Sequence, residues 1–551
     1  MDRNTLLAFL LISIVLVLTP RYLELINPTQ ETGQPSQDKQ KPASEVFYDV
    51  EPQPEKKILE KEKTFLPQNP NPEKTTRVET DLYIATISSV AGGTIKEFFI
   101  KEHKTADSSL VNLINPEGSF GPIIEAKDLD GNPLNLTTPW LLDSYEPIRP
   151  ITSDLTLSYK KEIFSNTFLY KHLTFNPENY TINIRLDLSS AENDLYREVS
   201  IGWTNGLAIT EKNKAEDLTY FQSYVFQGGE LEDFKASEKK ESNAVFNGAT
   251  NWAATRTKYF TAALIPSDPF FVKRAEVSGS KEATENYDLK LTYDHRDDLS
   301  ILLYLGPLEY GKIKDLGVGL DEIMDFGWAF IRPISKGVLY VLTEMYKVIP
   351  NYGFVLIVFS FLIKILVYPL TKKSYQSTTA MQALQPEILK LKEKHKSNPQ
   401  KLNQATMELY KKKGVNPLGG CLPMLLQMPL LFALFIVFRT TIELRSKPFM
   451  WWITDLSAPD KILELPFTIP IYGSYVAALP ILMVVSMFIQ QKMMAGSTQQ
   501  PQQKMMQYTM SFFFFFIFNS FPSGLNLYYT LFNILTIAQQ KLVKQEPKKE
   551  Q

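Results

Sequence analysis

The chain has 551 residues, and its 58 Lys and Arg against 60 Asp and Glu leave a formal net charge of −2, so no global excess points to nucleic acid or another polyanion. A single cysteine, Cys421, excludes an intramolecular disulfide and a cysteine-based metal cluster. The four histidines, His103, His172, His295 and His395, all lie outside the apolar runs, which argues against an intramembrane histidine-dependent enzyme or a His-ligated metal. The apolar residues collect in uncharged runs toward the C-terminus while a long middle stretch stays polar, the distribution of a membrane protein with a large extramembrane part.

In residues 1–26, Arg3 precedes an apolar run over 6–18 broken only by Ser13, a pattern that signal peptides and membrane anchors share. Thr19-Pro20-Arg21-Tyr22 follows without a small-x-small cleavage site, which favours a retained anchor. Residues 27–80 carry eight prolines among Gln, Glu and Lys and are too polar to bury a core, so a disordered or extended tether is expected.

From residue 81 to about 320 the pattern becomes alternation. Ile182, Ile184, Leu186 and Leu188 point one way while Thr181, Asn183, Arg185 and Asp187 point the other. Similar runs at 82–87, 168–175 and 289–293 are separated by Gly, Pro, Asn and Asp, which predicts one large β-sandwich. A binding domain and a structural platform both fit it, and no site motif stands out.

Residues 321–350 carry Trp328, Ile331, Val338, Leu342, Met345 and Ile349 at spacings near three and four, with Arg332, Lys336 and Lys347 on another face. This is too charged to span and predicts a helix in the outer interface. Five apolar segments follow, at residues 352–370, 421–438, 471–489, 507–521 and 525–538. With the anchor they make six spans, five of them in a core over 351–545. One set of loops carries about 17 Lys and Arg and the opposite set Arg439, Arg445, Lys447 and Lys461, so both termini, including the tail 546–551, are expected in the cytoplasm and the β region outside. The fold class is therefore mixed: a polytopic helical membrane bundle plus an extracytoplasmic β-sandwich.

Between the first two core spans, residues 371–419 hold two helical patterns broken at Asn398-Pro399, with Met381, Leu384, Ile388 and Leu391 in one and Leu402, Ala405 and Leu409 in the other. Narrow stripes of this kind close into an antiparallel hairpin. Its ten lysines make a basic arm, suited equally to anionic lipid and to docking of RNA or a partner.

Lys364 is the one charge deep in a membrane segment, roughly 12 Å above the cytoplasmic end at 1.5 Å per residue. Such a lysine costs about 3 kcal/mol on insertion scales unless it meets water or an acceptor. It either snorkels to the inner interface or lines a hydrated cavity; Ser360 one turn away, with Gln427, Asn519, Asn526, Thr530 and Asn533 in other spans, favours the cavity. The last two spans, about 14 to 15 residues, reach only about 21 Å and should thin the bilayer. The turn Phe521-Pro522-Ser523-Gly524 makes them an antiparallel pair.

Tyr368-Pro369-Leu370-Thr371, Asn416-Pro417-Leu418-Gly419-Gly420-Cys421 running into Gln427-Met428-Pro429, Phe521-Pro522-Ser523-Gly524 and Tyr528-Tyr529 together resemble the YidC family of membrane-protein insertases, strongly over residues 321–544. The anchor and β region resemble its Gram-negative form. The resemblance implies an inner-membrane insertase and chaperone that passes polar tails of nascent membrane proteins through a hydrophilic groove and releases their spans into lipid. Matched residue by residue, the resemblance implies Lys364, Ser360 and Tyr529 at the groove; Gln427, Asn526 and Asn533 are expected there as polar residues of other spans, and Met424, Met428, Leu431 and Phe432 as the apolar slide. The groove cation is commonly arginine in the family; lysine at 364 keeps the charge and loses the bidentate fork. Nascent membrane proteins, the ribosome, a Sec-type translocon and the lipid bilayer are the implied partners, with no sequence-specific nucleic-acid binding and no cofactor.

The rival class is a small-solute transporter or channel using Lys364, against which stand the lone intramembrane charge and the lack of paired broken helices. An intramembrane enzyme has no membrane His, Asp or Glu to work with. A phosphate-binding Gly-x-x-x-x-Gly-Lys-[Ser/Thr] loop does not occur, so the driving force is expected from client hydrophobicity, the membrane potential acting on acidic tails, or a partner. A passive assembly scaffold is separated from an insertase by whether the protein alone inserts a client into liposomes.

Overall fold

A computed structural model describes residues 72–105, 107–115, 121–143, 150–237, 242–281, 285–294, 298–395, 398–415, 422–470, 472–495 and 501–545. The anchor 1–26, most of the tether, the motif at 416–421 and the tail 546–551 lie outside the described residues.

Strands begin earlier than alternation alone indicates. β1 (Thr75–Glu79) pairs antiparallel with β2 (Tyr83–Ser88), which pairs with β3 (Thr94–Lys104) and so with β4 (Leu110–Asn112). The boundary expected at residue 81 is thus too late, because the neighbouring prolines hide a short strand whose Thr76 and Val78 are buried. A nine-stranded sheet contains, in chain order, β6 (Leu141–Leu142), β7 (Leu155–Phe164), β8 (Thr167–Phe175), β9 (Thr181–Asp187), β11 (Gln222–Gln227), β12 (Glu230–Phe234), β14 (Thr250–Arg256), β15 (Phe260–Pro266) and β18 (Asp298–Pro307). A five-stranded sheet runs in the order β13 (Ser242–Asn247), β16 (Val272–Ser280), β17 (Asn286–Asp294), β10 (Leu195–Trp203), β5 (Ile123–Asp128).

The expected alternation in β9 holds from Ile182 onward: Ile182, Ile184, Leu186 and the adjoining Leu188 are buried and Asn183 and Arg185 exposed, whereas Thr181, expected on the open face, is buried at the start of the strand. The five-stranded sheet packs on the nine-stranded one through β16 and β17 against β14, and beside that contact Tyr287 of β17 meets Phe221, the residue before β11, edge-on with ring centroids 4.9 Å apart. β15 is buried at every position, so it is a covered central strand and not an alternating one. Lys171 of β8 is fully buried, its Nζ donating to the carbonyls of Ala91 at 3.1 Å and Pro122 at 2.6 Å, and burial lowers its pKa to about 7.

The β-rich part also carries two short helices, α1 (Lys214–Tyr220) and α2 (Tyr310–Lys314). Beyond them come α3 (Arg332–Val348), α4 (Tyr352–Ala383), α5 (Gln385–Lys394), α6 (Pro399–Lys412), α7 (Leu422–Thr440), α8 (Ala478–Ala495), α9 (Pro501–Phe518) and α10 (Ser523–Gln545). The amphipathic helix expected within residues 321–350 starts at Arg332, with Pro333 in its first turn, where a missing N–H costs nothing. Its buried stripe, Ser335, Val338, Leu339 and Leu342, packs on α7.

Asn351 caps α4 by accepting from the N–H groups of Gly353 and Phe354 at 2.9 and 3.3 Å. At 32 residues α4 outlasts the expected span ending at 370 and carries Met381, a residue of the expected hairpin. The hairpin proper is α5 and α6, closed by the Lys413–Glu387 ion pair at 3.1 Å, which joins the end of one helix to the start of the other as an antiparallel pair requires.

Among the described residues α4 alone is long and apolar enough to cross a bilayer by itself, and Gln427–Thr440 and Ala478–Met493 are shorter apolar helices. Six spans and a five-helix core are therefore not established by helix length. Three expected segments change shape. The segment expected to span from residue 471 begins as β20 (Gly473–Ala477), which pairs with β19 (Lys461–Ile469), so α8 starts only at Ala478. The last two helices are 18 and 23 residues long, because the polar ends of α9 and α10 stay helical beyond their short apolar stretches.

The β-rich part and the helices are joined by charge. Arg445 Nε donates to Glu211 at 2.8 Å and its Nη1 to the Lys104 carbonyl at 2.8 Å, while Arg439 Nε lies 3.4 Å from Glu216, which also pairs with Lys258 at 2.9 Å. Glu443 Oε1 accepts from the Tyr310 N–H at 3.3 Å, and its Oε2 is buried without a hydrogen-bond partner. Burial pushes the Glu443 carboxyl up to about 7, and Glu309 nearby adds to it.

Candidate functional site

Lys364 lies on the face of α4 that packs against α10. Its side chain is only 7 % exposed; Nζ donates to Thr536 Oγ1 at 2.7 Å and sits 4.5 Å from the Phe532 ring centroid. Phe532 and Thr536 are one helical turn apart on α10, so a single helix face supplies both a π-surface and a hydroxyl. Among the described residues no carboxylate pairs with Lys364. The Thr536 hydroxyl in turn donates to the Phe532 carbonyl at 2.7 Å, which leaves its lone pair facing the ammonium.

The same helix pair is polar toward the end that leads to the hairpin. Gln539 Nε2 donates to Thr371 Oγ1 at 2.9 Å, and Gln539 Oε1 is buried without a hydrogen-bond partner. Tyr375, one turn beyond Thr371, is buried beside Thr536. Thr536, Gln539, Thr371 and Tyr375 were absent from the expected groove set. For the two on α10 a signal was present in the sequence: Asn533, Thr536 and Gln539 recur at intervals of three along the helix.

The expected groove residues divide. Asn533 does join the interior, donating from Nδ2 to Ser486 Oγ of α8 at 3.1 Å. Ser360 is fully buried one turn from Lys364, but its hydroxyl donates to its own helix at the Leu356 carbonyl, 2.7 Å away. Tyr529 is buried, with a hydroxyl lacking a partner and a ring 6.3 Å from that of Phe518. Asn526 serves the turn into α10, donating to the Phe518 carbonyl at 3.2 Å. Gln427 is half-buried and makes no hydrogen bond with Lys364 among the described residues.

Of the expected slide, Met428, Leu431 and Phe432 are half-buried on α7, and the Phe432 ring lies 5.9 Å from Trp328 ahead of α3. The side chain of Met424 lies outside the described residues. Asn519, at the end of α9, is fully buried and holds β20, a structural use that its place in an apolar segment did not announce.

Two family models match the chain: "YidC periplasmic domain" over residues 75–337 and "60Kd inner membrane protein" over residues 344–550. A membrane protein insertase YidC of Prosthecochloris aestuarii is 34% identical over 560 residues, covering 98% of this chain and 94% of the relative. The chain belongs to the YidC family of membrane protein insertases. A YidC of Chlorobium luteolum is 35% identical over 562 residues, with the same 98% and 94% coverage. A crystal structure of an active YidC insertase with its first transmembrane domain resolved is 17% identical, covers 87% of this chain and 96% of its own, and superposes with a TM-score of 0.36. YidC family membership gives the β-rich part as a periplasmic domain and puts the chain in an inner membrane.

Proposed function

We propose that this family member inserts membrane proteins by lowering the barrier for polar tails between α4 and α10, with Lys364 as the fixed cation and no bond-making chemistry. The observation that carries the reading is the Lys364 ammonium, almost wholly buried yet held, among the described residues, by a hydroxyl and a ring and by no carboxylate. A cation without a carboxylate partner in low dielectric attracts an acidic tail more strongly than a surface lysine does, and that attraction offsets part of the tail's desolvation. Asn533, Thr536, Gln539 and Thr371 supply further polar groups along the path, and Ser360, Tyr529, Asn526 and Gln427 are read as its flanks. Met424, Met428, Leu431 and Phe432 are read as the slide along which a client span leaves for lipid.

The basic hairpin α5–α6 is read as the cytoplasmic arm that meets clients at the ribosome, and a Sec-type translocon as a partner for larger ones. The positive loop bias supports cytoplasmic termini, and the missing small-x-small site after residue 18 supports a retained anchor at 1–26, followed by the tether. Site-specific crosslinking from Ser360, Met428 and Tyr529 to a stalled nascent membrane protein tests the groove. Adducts are expected from all three; adducts from surface positions of α4 alone would sink the reading.

A further inference from the structure

The ribbon β19–β20 connects α7 to α8 and is exposed almost throughout its first strand. Ile462 is 52 % exposed, Leu463 59 % and Phe467 60 %, and Trp451, just before the ribbon, is 82 % exposed. The register shifts between Lys461 and Leu463, a bulge at Ile462, and the exposed Ile462, Leu463 and Phe467 leave the surface of the first strand largely apolar. A two-stranded ribbon of that kind is marginal in water.

Its exposure is built in by firm attachment at the base. The Asn519 carboxamide donates to the Tyr472 and Tyr475 carbonyls at 2.9 Å each and accepts from the Ala477 N–H at 3.0 Å. Asp460 Oδ2 gathers Trp452 Nε1 at 2.9 Å and the N–H groups of Ala478 and Leu479, the first turn of α8, at 3.1 and 2.8 Å. The ribbon therefore cannot fold its apolar residues away without breaking six hydrogen bonds.

Its apolar surface is continuous with that of the helices. Tyr472 stacks on Phe515 of α9 with centroids 5.2 Å apart, and β20 runs directly into α8, whose Ile481, Leu482, Val485 and Ile489 are exposed. Two tryptophans, a tyrosine and a lysine sit together, with Trp451 stacked on Trp452 and Lys461 Nζ 4.3 Å from the Tyr475 ring centroid, the composition of a membrane interface. The open edges of a two-stranded ribbon still need water or headgroups for their backbone groups, which fixes a shallow depth.

We infer that β19–β20 is a lipid-inserted ribbon, lying in the interfacial layer of the leaflet nearest the β-rich domain with Ile462, Leu463 and Phe467 among the upper acyl chains. The leaflet follows from Arg445, which lies in the same α7–α8 connection and pairs with Glu211 of the β-rich part. The inference rests on α7 and α8 crossing the bilayer and not on the insertion mechanism.

The test uses the full chain in phosphatidylethanolamine–phosphatidylglycerol vesicles, with Cys421→Ser and a single environment-sensitive fluorophore on Phe467→Cys, Ile462→Cys or, as reference, Leu482→Cys on α8. At 462 and 467 the expected result is a blue-shifted emission that a shallow acyl nitroxide quenches more than a deep nitroxide or aqueous iodide. Iodide quenching at 462 and 467 with lipid quenching at 482 overturns the ribbon proposal and leaves the helix placement standing. Iodide quenching at all three overturns the placement too. Protection that depends on protein concentration or on added nascent client makes a second copy or the client the occupant, and overturns the lipid assignment.

Discussion

The Lys364 ammonium and the Thr536 hydroxyl, 172 positions apart in the chain, are 2.7 Å apart between α4 and α10. That contact makes the charge positioned and not merely present. Lys364→Arg is expected to keep insertion, and Lys364→Ala to slow clients with acidic translocated tails by up to about tenfold, the equivalent of about 1.4 kcal/mol. Neutral-tailed clients should lose little. Thr536→Val should fall between the two, since it removes the acceptor and leaves the charge. Paired clients differing only in tail charge give the measurement; equal slowing of both would reduce Lys364 to packing.

Glu443 predicts a pH dependence of stability. Its folded carboxyl holds a proton up to about 7, above the ordinary value of 4.5 that the unfolded chain restores. Its contribution is therefore complete below the ordinary value and lost as pH rises through about 7. Melting in detergent is expected to weaken from about pH 5 to about pH 8 by on the order of 2 kcal/mol, and Glu443→Gln should flatten the profile. An unchanged slope in Glu443→Gln would assign the dependence to another group.

The Arg445–Glu211 pair, with side chains 3 % and 19 % exposed, should show strong coupling. Arg445→Ala strands Glu211, whose own pKa burial already raises, and should cost about 3–5 kcal/mol of stability. Adding Glu211→Ala should recover part of the loss, with a coupling of about 1–3 kcal/mol in a double-mutant cycle. Strict additivity would mean that the two side chains do not act together.

Replacing the α5–α6 hairpin with a short flexible linker should lower client capture more than stability. The helices pack mainly on each other, neither buries a residue fully in the described structure, and their tie is the exposed Lys413–Glu387 pair, of a kind worth about 0–1 kcal/mol. Crosslinking yield per folded molecule is compared with melting temperature. A collapse of melting with unchanged yield would make the hairpin structural.

Sequence alone determined the class of this protein. Local rules sufficed for the period-two run of β9, the amphipathic stripe of α3, the break at Asn398-Pro399 and the order of the family motifs, because each is written in residues near one another. The sequence also singled out Lys364, since a charge in a long apolar run stands out by composition. Tertiary structure decided what Lys364 touches: Thr536 and Phe532 come from a helix far along the chain, and no local pattern states which faces of α4 and α10 meet. Packing likewise turned the start of an apolar segment into β20, where pairing with β19 and the Asn519 carboxamide outweigh hydropathy. It also decided that Asn526 bonds a turn carbonyl and Ser360 its own helix, because a polar side chain bonds the nearest unsatisfied partner, and which partner is nearest is a property of the fold.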